Sequence, residues 1–312
     1  MSQPKSQHKR EKRKIDGWVV LDKPLGMTST TAVAAVRRIF KAEKAGHAGT
    51  LDPLASGVLP IALGEATKTV PFVQDGRKIY RFTVRLGIET DTDDAEGKET
   101  ARSESRPSRE AIEALLPAFT GMIMQTPPQF SALKVDGERA YDLARGGETV
   151  ELSPREIEID SFELVGQPDK DHAEFEVECG KGTYVRSLAR DIGRTLGCLG
   201  HVSVLRRTLV GDFSEEATVN LVQLEQAGAD EASLRALLQP VAAGLQSLPA
   251  VKVSEPDAQR LAQGQSVFLR GRDAPVFEGP VSVSVSVSGN LVALAEMEAG
   301  QLYPKRIFNL PR

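Results

Sequence analysis

The spacing of apolar residues along the chain predicts three amphipathic helices. Ser29 or Thr30 can cap the first, Ser108 lies near the start of the second, and the third spans about 183–196. Gly197 can end the third helix, because glycine adopts the left-handed conformation that often follows a last helical turn. The apolar stripes expected to face the core are Val33, Val36 and Phe40; Ile112, Leu115, Leu116 and Phe119; and Val185, Leu188, Ile192 and Leu196.

Strict alternation of apolar and polar residues predicts half-buried strands elsewhere. It occurs over 79–86, where every second residue from Tyr80 to Leu86 is apolar, and again around 157–159 and 175–179. Near the end of the chain, four valines alternate with serines over 281–287. The segment Ser288-Gly289-Asn290 that follows is typical of a turn, so a β-hairpin is expected there.

These elements predict an α+β fold with a mixed, largely antiparallel sheet flanked by helices, followed by a small C-terminal β-rich domain. We predict a basic disordered tail at 1–14, a main domain at 15–249 and the β-rich domain at 250–312. The boundary falls in a proline-containing stretch, 248–251. Residues 125–150 are rich in Pro and Gly yet carry basic and aromatic side chains, which favours a mobile binding loop.

Composition narrows the class of protein. The 312 residues are 40% hydrophobic and 26% charged, which are values of an ordinary globular chain, and no run of about 18 apolar residues occurs. Two cysteines and four scattered histidines do not predict a disulfide framework or a metal site. We therefore expect a cytoplasmic, reduced protein without metal or other cofactor.

The net charge of −4 conceals an uneven distribution. Lys and Arg outnumber Asp and Glu by 16 to 7 in residues 1–88 and by 6 to 2 in 179–212, whereas the order is reversed, 9 to 23, in 89–178. Two basic segments could form one face for a polyanion such as nucleic acid. The alternative is that acidic surface elements simply keep the protein soluble.

A glycine-punctuated loop at 46–53 places His47 and Asp52 five residues apart. An aspartate before a proline is commonly just a turn residue. Against that interpretation, Gly46 and Gly49 allow unusual backbone angles and close approach of another chain. The flat ring of His47 can stack on bases or lie between them.

Five motifs carry a resemblance to a known family. They are LDKPLGMTS (21–29), GHAGTLDPLASGVLP (46–60), KIYR (78–81), GKGTYVR (180–186) and HVSVLRR (201–207). In this order they resemble the motifs of the TruB-type pseudouridine synthases, whereas residues 250–312 match more loosely. The resemblance implies the pseudouridine synthase fold, a PUA-like RNA-binding C-terminal domain, and isomerisation of uridine 55 in the TΨC loop of tRNA after base flipping.

The resemblance also implies roles for individual residues. Asp52 would be the essential nucleophile or base, Arg186 its ion-pair partner, and Tyr184 a group beside C5 of the base. Tyr80 would stack on the flipped uracil and Leu205 would line its pocket, although both positions also suit a core residue. The remaining implied or expected residues are His47 in place of the flipped nucleotide, Lys23 and Pro24 as supports of the Asp52 loop, and Lys134, Arg139 and Arg145 as RNA contacts.

The order of bond changes stays open. A carboxylate can attack C1′, attack C6, or remove a proton at C2′ before uracil reattaches through C5. Two other functions stay open as well: a tRNA-binding or folding protein for which catalysis is dispensable, and a guide-dependent synthase within a ribonucleoprotein. We expect tRNA as the partner, no membrane, no obligate protein partner and a monomer.

Overall fold

The alternating segments of the chain assemble mainly into one large sheet. The computed structural model describes residues 12–131, 152–269, 275 and 277–311, and the backbone of 134–135 and 138–139. The strands are β1 (Gly17–Lys23), β2 (Ala45–His47), β3 (Ala55–Leu63), β4 (Lys78–Leu86), β5 (Ile88–Thr90), β6 (Glu99–Arg102), β7 (Gly121–Gln125), β8 (Lys134–Val135), β9 (Glu138–Arg139), β10 (Arg155–Asp169), β11 (His172–Cys179), β12 (Gly200–Val210), β13 (Phe213–Ser214), β14 (Ala250–Lys252), β15 (Val267–Phe268), β16 (Val281–Val287), β17 (Asn290–Glu298) and β18 (Gln301–Ile307).

The large sheet has the order β1-β3-β12-β4-β11-β10-β7, with β2 beside β3 and β13 beside β12. Its neighbouring strands are antiparallel except for β3 and β12, which run parallel. The sheet is therefore mixed and largely antiparallel, as the sequence predicts. The parallel pairing sets the first residues of β3, 55–57, beside residues 205–207 of β12, and the candidate site forms where the preceding loop leads into this pairing.

Seven α-helices occur in the described part of the chain. They are α1 (Ser29–Phe40), α2 (Val70–Asp75), α3 (Arg109–Leu115), α4 (Val185–Thr195), α5 (Leu221–Ala227), α6 (Glu231–Ala236) and α7 (Glu255–Ala262). Apolar residues of α1, α3 and α4 share one core cluster with the large sheet. Burial of these stripes is the main stabilising term for short helices, since isolated helices of this length are marginal in water.

The predicted elements are confirmed, with small shifts at their ends. Ser108 caps α3, and Gly197 follows α4 with a φ of 68°. The cap of α1 is Thr28 rather than Ser29 or Thr30, because its side chain accepts the N–H of Thr31. Ser29 is instead buried in the first helical turn, where its hydroxyl binds another part of the chain.

The C-terminal residues form a five-stranded sheet with its own apolar cluster, in the order β14-β16-β17-β18-β15. A separate cluster joins this unit to the rest of the molecule, because Leu294 and Phe308 pack with Trp18. Next to it, the Glu65 carboxylate accepts the backbone N–H of Asn309 at 2.7 Å. None of the helices in the described ranges is long and apolar enough to cross a membrane.

Of the predicted tail 1–14, only the end lies within the described residues. There the backbone N–H of Arg13 donates to the Lys41 carbonyl at 2.8 Å, and the Arg13 side chain binds Glu231. The chain is therefore anchored to the main domain from Arg13 onward.

Candidate active site

Asp52 lies in the loop between β2 and β3, and contacts from the start of α1 and from the segment before it fix this loop. The Ser29 hydroxyl donates to the Leu51 carbonyl at 2.9 Å and accepts the Leu51 N–H at 2.8 Å. On the other side of Asp52, the Pro53 carbonyl accepts the backbone N–H of Gly26 at 2.8 Å. Both neighbours of Asp52 are thus held, which limits the positions that its carboxylate can take.

Arg207 supports the same loop from β12. Its guanidinium donates to the carbonyls of Gly49 at 3.0 Å, Thr50 at 3.4 Å and Val58 at 2.9 Å. The Arg207 backbone also approaches β3 closely, which explains Gly57: this residue has a φ of 98°, and a Cβ atom there would lie 2.1 Å from the Arg207 carbonyl oxygen. Gly49 has a φ of 89°, as glycine readily allows. Gly46, by contrast, lies in β2 without a positive φ, so the prediction of unusual backbone angles is wrong there.

Arg186 forms the ion pair with Asp52 that the resemblance implies. One guanidinium nitrogen lies 3.0 Å from a carboxylate oxygen of Asp52, and the other lies 3.6 Å from Asp94. The same guanidinium donates to the carbonyls of Thr92 and Phe130, at 3.0 and 2.9 Å. Its side chain is only 8% exposed, so Arg186 is a buried residue and not a surface arginine. The guanidinium that pairs with Asp52 is thus itself held by other acceptors, and a donor fixed in this way orients the carboxylate.

Tyr184 precedes the first turn of α4 and is held by a buried amide. Gln125, only 2% exposed, accepts the N–H of Tyr184 at 2.9 Å and donates to its carbonyl at 3.1 Å. Ser187 adds a hydrogen bond of 2.9 Å to the Thr126 carbonyl. The beginning of the predicted binding loop, residues 125–131, is therefore packed against α4 and helps to place Tyr184 and Arg186.

The side chains meet in a cavity of about 580 Å³. Five residues predicted from the sequence line it, and the rest of its wall includes three further basic residues: Asp52, Tyr80, Tyr184, Arg186 and Leu205, with Lys78, Lys181 and Arg207. The alternating pattern of β4 turns Tyr80 to the same face as buried Phe82, and it is Tyr80 that reaches the cavity. Both residues also belong to the apolar core, because Leu205 is buried in the main cluster and Tyr80 packs against it, so they are core residues that reach the cavity wall.

Burial shifts the proton equilibria of groups around this cavity. It raises the pKa of Tyr80 and of Tyr184 above that of free tyrosine. It lowers the pKa of Lys23 to about 8, an effect that the nearby Asp52 carboxylate partly opposes. The pKa of Lys78 is also lowered to about 8 by burial. Both ammonium groups are costly to desolvate, and both find backbone carbonyls as acceptors.

His47, Lys23 and Pro24 lie outside the wall of the cavity. Lys23 is fully buried, and its ammonium donates to the carbonyls of Met27 at 2.7 Å and Pro53 at 3.5 Å, whereas Pro24 is exposed. Lys23 thus contacts the Asp52 loop from behind. His47 pairs with Ile61 in the sheet, and burial lowers its pKa.

The side chains of Lys134 and Arg139, and all of Arg145, lie outside the described residues. For this part of the predicted binding loop, the structure gives only the antiparallel pairing of the two-residue strands β8 and β9. Their role in RNA binding stays a prediction.

The arginines of α4 do not form a free basic face. Arg190 lies 3.0 Å from Asp93, and Arg194 pairs with Glu89 at 2.7 Å, while Arg186 is engaged as described above. These acidic partners belong to residues 89–178, the acidic segment that the sequence alone suggests lies on the surface. Burial raises the pKa of Asp93 to about 6, although the arginines around it act in the opposite direction. The basic segment 179–212 is therefore largely neutralised inside the molecule.

Sequence reasoning missed the roles of Ser29, Gln125 and Arg207. The sequence does contain a signal for Arg207. The residues two positions before and after it in β12 are apolar, so the alternation places its side chain on the inward face of the strand. The sequence predicts Ser29 only as a helix cap and Gln125 only as part of a loop. Their contacts are with residues 22 and 59 positions away, which no local pattern reveals.

Comparison with family models matches nearly the whole chain. The N-terminal domain of the TruB family of pseudouridylate synthases matches residues 37–185, and the C-terminal domain of tRNA pseudouridylate synthase B matches 186–246. A further C-terminal model, of pseudouridine synthase II TruB, matches 249–308.

Individual relatives agree with this result. The protein named tRNA pseudouridine synthase B of Bradyrhizobium diazoefficiens is 62% identical over 309 residues, which is 98% of this chain and 89% of the relative. That of Brucella anthropi is 56% identical, over 96% and 98% of the two chains. Among solved structures, the archaeal box H/ACA sRNP Nop10-Cbf5 complex has a chain with a TM-score of 0.72 and 27% identity, covering 93% of this chain and 85% of its own.

The family models cover well over half of the chain, and the relatives align over almost all of both partners. The fold, with its large mixed sheet and β-rich C-terminal unit, is shared with known pseudouridine synthases. The chain therefore belongs to the TruB family of pseudouridylate synthases, and its activity is the isomerisation of uridine to pseudouridine in tRNA.

Proposed function

We propose that this enzyme modifies uridine 55 in the TΨC loop of tRNA and that Asp52 is its essential carboxylate. The observation that carries the proposal is the ion pair between Asp52 and Arg186, 3.0 Å long, in the wall of a cavity that Tyr80 and Tyr184 also line. The Asp52 side chain is 42% exposed, so a base that enters the cavity can reach it.

Base flipping follows from the location of the carboxylate. A uridine stacked within an RNA loop cannot bring its C1′ or its ring to a group inside a cavity, so the nucleotide leaves its stack. The ring of Tyr80 supplies a face on which the flipped uracil stacks, and Leu205 closes the apolar side. His47 occupies the edge of the same loop, where it takes the position vacated by the nucleotide.

The reaction breaks the bond between N1 and C1′ and forms one between C5 and C1′, without redox change and without net gain or loss of a proton. Asp52 acts by attack at C1′ or C6, or by removing the C2′ proton. Arg186 keeps the carboxylate aimed at the sugar and base. Tyr184 lies where its hydroxyl can take part in moving the proton from C5.

A role in binding alone does not account for this site. A carboxylate in a cavity that receives RNA repels the phosphate backbone, so its presence needs a chemical reason. The arginine beside it is itself held by backbone carbonyls and another carboxylate, an arrangement suited to orienting a reacting group.

We further propose that the enzyme acts as a monomer in the cytoplasm, on naked tRNA, without cofactor, guide RNA or protein partner. Relatives of 56% to 62% identity carry the name tRNA pseudouridine synthase B, whereas the Cbf5 chains of ribonucleoprotein complexes are only 26% to 27% identical. RNA contacts come from the 125–150 loop, through Lys134, Arg139 and Arg145, and from the PUA-like unit at 250–312.

The test is tritium release from a tRNA transcript labelled at C5 of uridine, without added RNA or protein. Asp52→Asn should abolish release while retaining tRNA binding and the melting temperature, because the change removes charge but little volume. The matched control is Asp160→Asn, since Asp160 also pairs with an arginine, at 2.7 Å from Arg77, but lies outside the cavity wall.

Mapping the product by carbodiimide modification and primer extension should place the pseudouridine at position 55. Activity of Asp52→Asn within about tenfold of the native enzyme, a barrier change of only about 1.4 kcal/mol, would refute the role of Asp52. Product at another position would refute the proposed site specificity.

A further inference from the structure

Arg207 is the most deeply buried arginine around the cavity, and no carboxylate in the described part of the chain pairs with it. Its side chain is 1% exposed, and none of the described acidic groups lies within ion-pair distance of it. Within the described ranges, the other buried arginines are Arg186 and Arg190, and both have such partners. A buried charge without a counter-charge is costly to a fold, so hydrophobic stabilisation does not explain its presence.

The hydrogen bonds of Arg207 join both ends of the Asp52 loop. Two of its acceptors, the carbonyls of Gly49 and Thr50, come just before Asp52, and the third, that of Val58, lies on β3 just after it. A planar guanidinium can bind acceptors in these separate directions at once, whereas an ammonium group on a flexible stem cannot fix them in the same geometry.

The same residue also lies beside the strand that carries Tyr80. Arg207 and Tyr80 are directly paired across β12 and β4, and both line the cavity. The Arg207 charge counteracts the effect of burial on the pKa of Tyr80, which is consistent with their proximity. One side chain thus links the loop of the proposed catalytic carboxylate to the proposed stacking surface.

We infer that Arg207 is a positioning residue for pseudouridine formation: its guanidinium holds the Asp52 loop at a fixed distance from the Tyr80 ring. The inference rests on the proposed role of Asp52. Catalysis depends steeply on such geometry, since a displacement of about 1 Å can cost about a hundredfold in rate. Loss of the guanidinium should therefore slow the chemical step more than it weakens tRNA binding.

The test compares Arg207→Lys with the native enzyme in single-turnover tritium release at saturating enzyme, below the melting temperatures of both. We expect the rate to fall by about tenfold to a hundredfold and the dissociation constant for tRNA to change by less than about threefold. The charge is retained in this variant, so a rate loss assigns the role to the shape of the guanidinium. A native single-turnover rate in Arg207→Lys would overturn the inference.

Two further variants separate positioning from general stability. Arg206→Lys alters the adjacent arginine, which pairs with Asp22 and Glu215 outside the cavity wall, and should leave the single-turnover rate unchanged. Leu59→Ala creates a void in buried β3, and should lower the melting temperature without slowing the folded enzyme. If Leu59→Ala slows single turnover as much as Arg207→Lys at equal loss of melting temperature, the inference is overturned.

Should Arg207→Lys fail to fold, Gly49→Ala perturbs the same contact from the loop, because its Cβ would lie 3.3 Å from an Arg207 guanidinium nitrogen. It should also reduce the single-turnover rate by about tenfold or more, and a native rate would overturn the inference. Asp52→Asn is measured alongside. If it is active, the proposed function fails; if it is inactive while the Arg207 and Gly49 variants keep the native rate, only the positioning role fails.

Discussion

Lys23 illustrates how a single buried residue near the site connects structure to pH. Its ammonium is enclosed behind the Asp52 loop and donates to backbone carbonyls, among them that of Pro53. Enclosure lowers its pKa to about 8, from 10.5 in the unfolded chain, while the Asp52 charge works against this shift. Lys23 therefore supports the Asp52 loop, but burial of its ammonium group is unfavourable as long as the side chain is protonated.

The lowered pKa predicts a rise in stability at alkaline pH. Between about pH 8 and 10 the unfolded chain still holds the Lys23 proton and the folded protein has released it, so the unfolded state binds more protons. The contribution of Lys23 to the free energy of unfolding should then increase with pH across this window. Lys23→Met should flatten the increase in urea titrations at several pH values, whereas Lys252→Met, on the exposed surface, should not. An unchanged slope in Lys23→Met would contradict the proposed burial of the charge.

At the scale of elements, the parallel contact between β3 and β12 shapes the site. Gly57 pairs with Arg207 in this ladder, and the two backbones approach so closely that only glycine fits. Helix α4 completes the arrangement by presenting Arg186 in its first turn, with Gln125 of β7 holding the preceding peptide. Residues of β3, β7, α4 and β12, whose ranges extend from position 55 to position 210, thus meet around one carboxylate.

Gly57→Ala should be strongly destabilising. The substitution places a Cβ 2.1 Å from a backbone oxygen and imposes a φ of 98° on alanine. Backbone strain and overpacking each cost about 1–3 kcal/mol, so we expect the free energy of unfolding, measured in urea, to fall by at least about 2 kcal/mol. Gly46→Ala is the matched control in the same motif, because a Cβ at Gly46 would meet no atom within 4 Å. Equal stability of the two variants would show that the close β3–β12 contact is not present in solution.

At the scale of the whole molecule, basic and acidic stretches that are separate in the sequence lie next to each other in the fold. The arginines of α4 are paired with Glu89, Asp93 and Asp94, so a basic stretch and an acidic stretch neutralise each other inside the fold. The C-terminal unit is joined to the main domain through Phe308 and the Trp18 cluster. An electrostatic surface for RNA must therefore come from other basic residues, and the 125–150 loop is the proposed source.

This distribution predicts which residues set the salt dependence of tRNA binding. Affinity should fall steeply with salt, because each neutralised phosphate releases counterions. Arg139→Gln should reduce the slope of log K against log salt by about one. Arg194→Gln should leave the slope unchanged, because Glu89 already neutralises that guanidinium. Filter-binding titrations from low to high salt measure both, and a reduced slope in Arg194→Gln would contradict the internal pairing.

The sequence by itself determined the elements of this protein and the residue types at its site. Strands β4 and β11, helix α4 and the C-terminal hairpin were predictable, because burial on one face imposes a period of two or of about 3.6 residues on the chain. Five short motifs were enough for the resemblance to the TruB family, and Asp52 could be singled out from one of them. Periodicity and motifs are local properties, which can be recognised in short segments of the chain.

Only the tertiary structure decided how those residues meet. The partner of Arg194 is 105 positions away and an acceptor of Arg207 is 158 positions away. Such contacts follow from the order and register of strands, and in particular from the parallel pairing of β3 with β12, which alternation of side chains does not specify. Periodicity fixes which face of an element is buried, whereas the packing of the complete sheet fixes what that face is buried against.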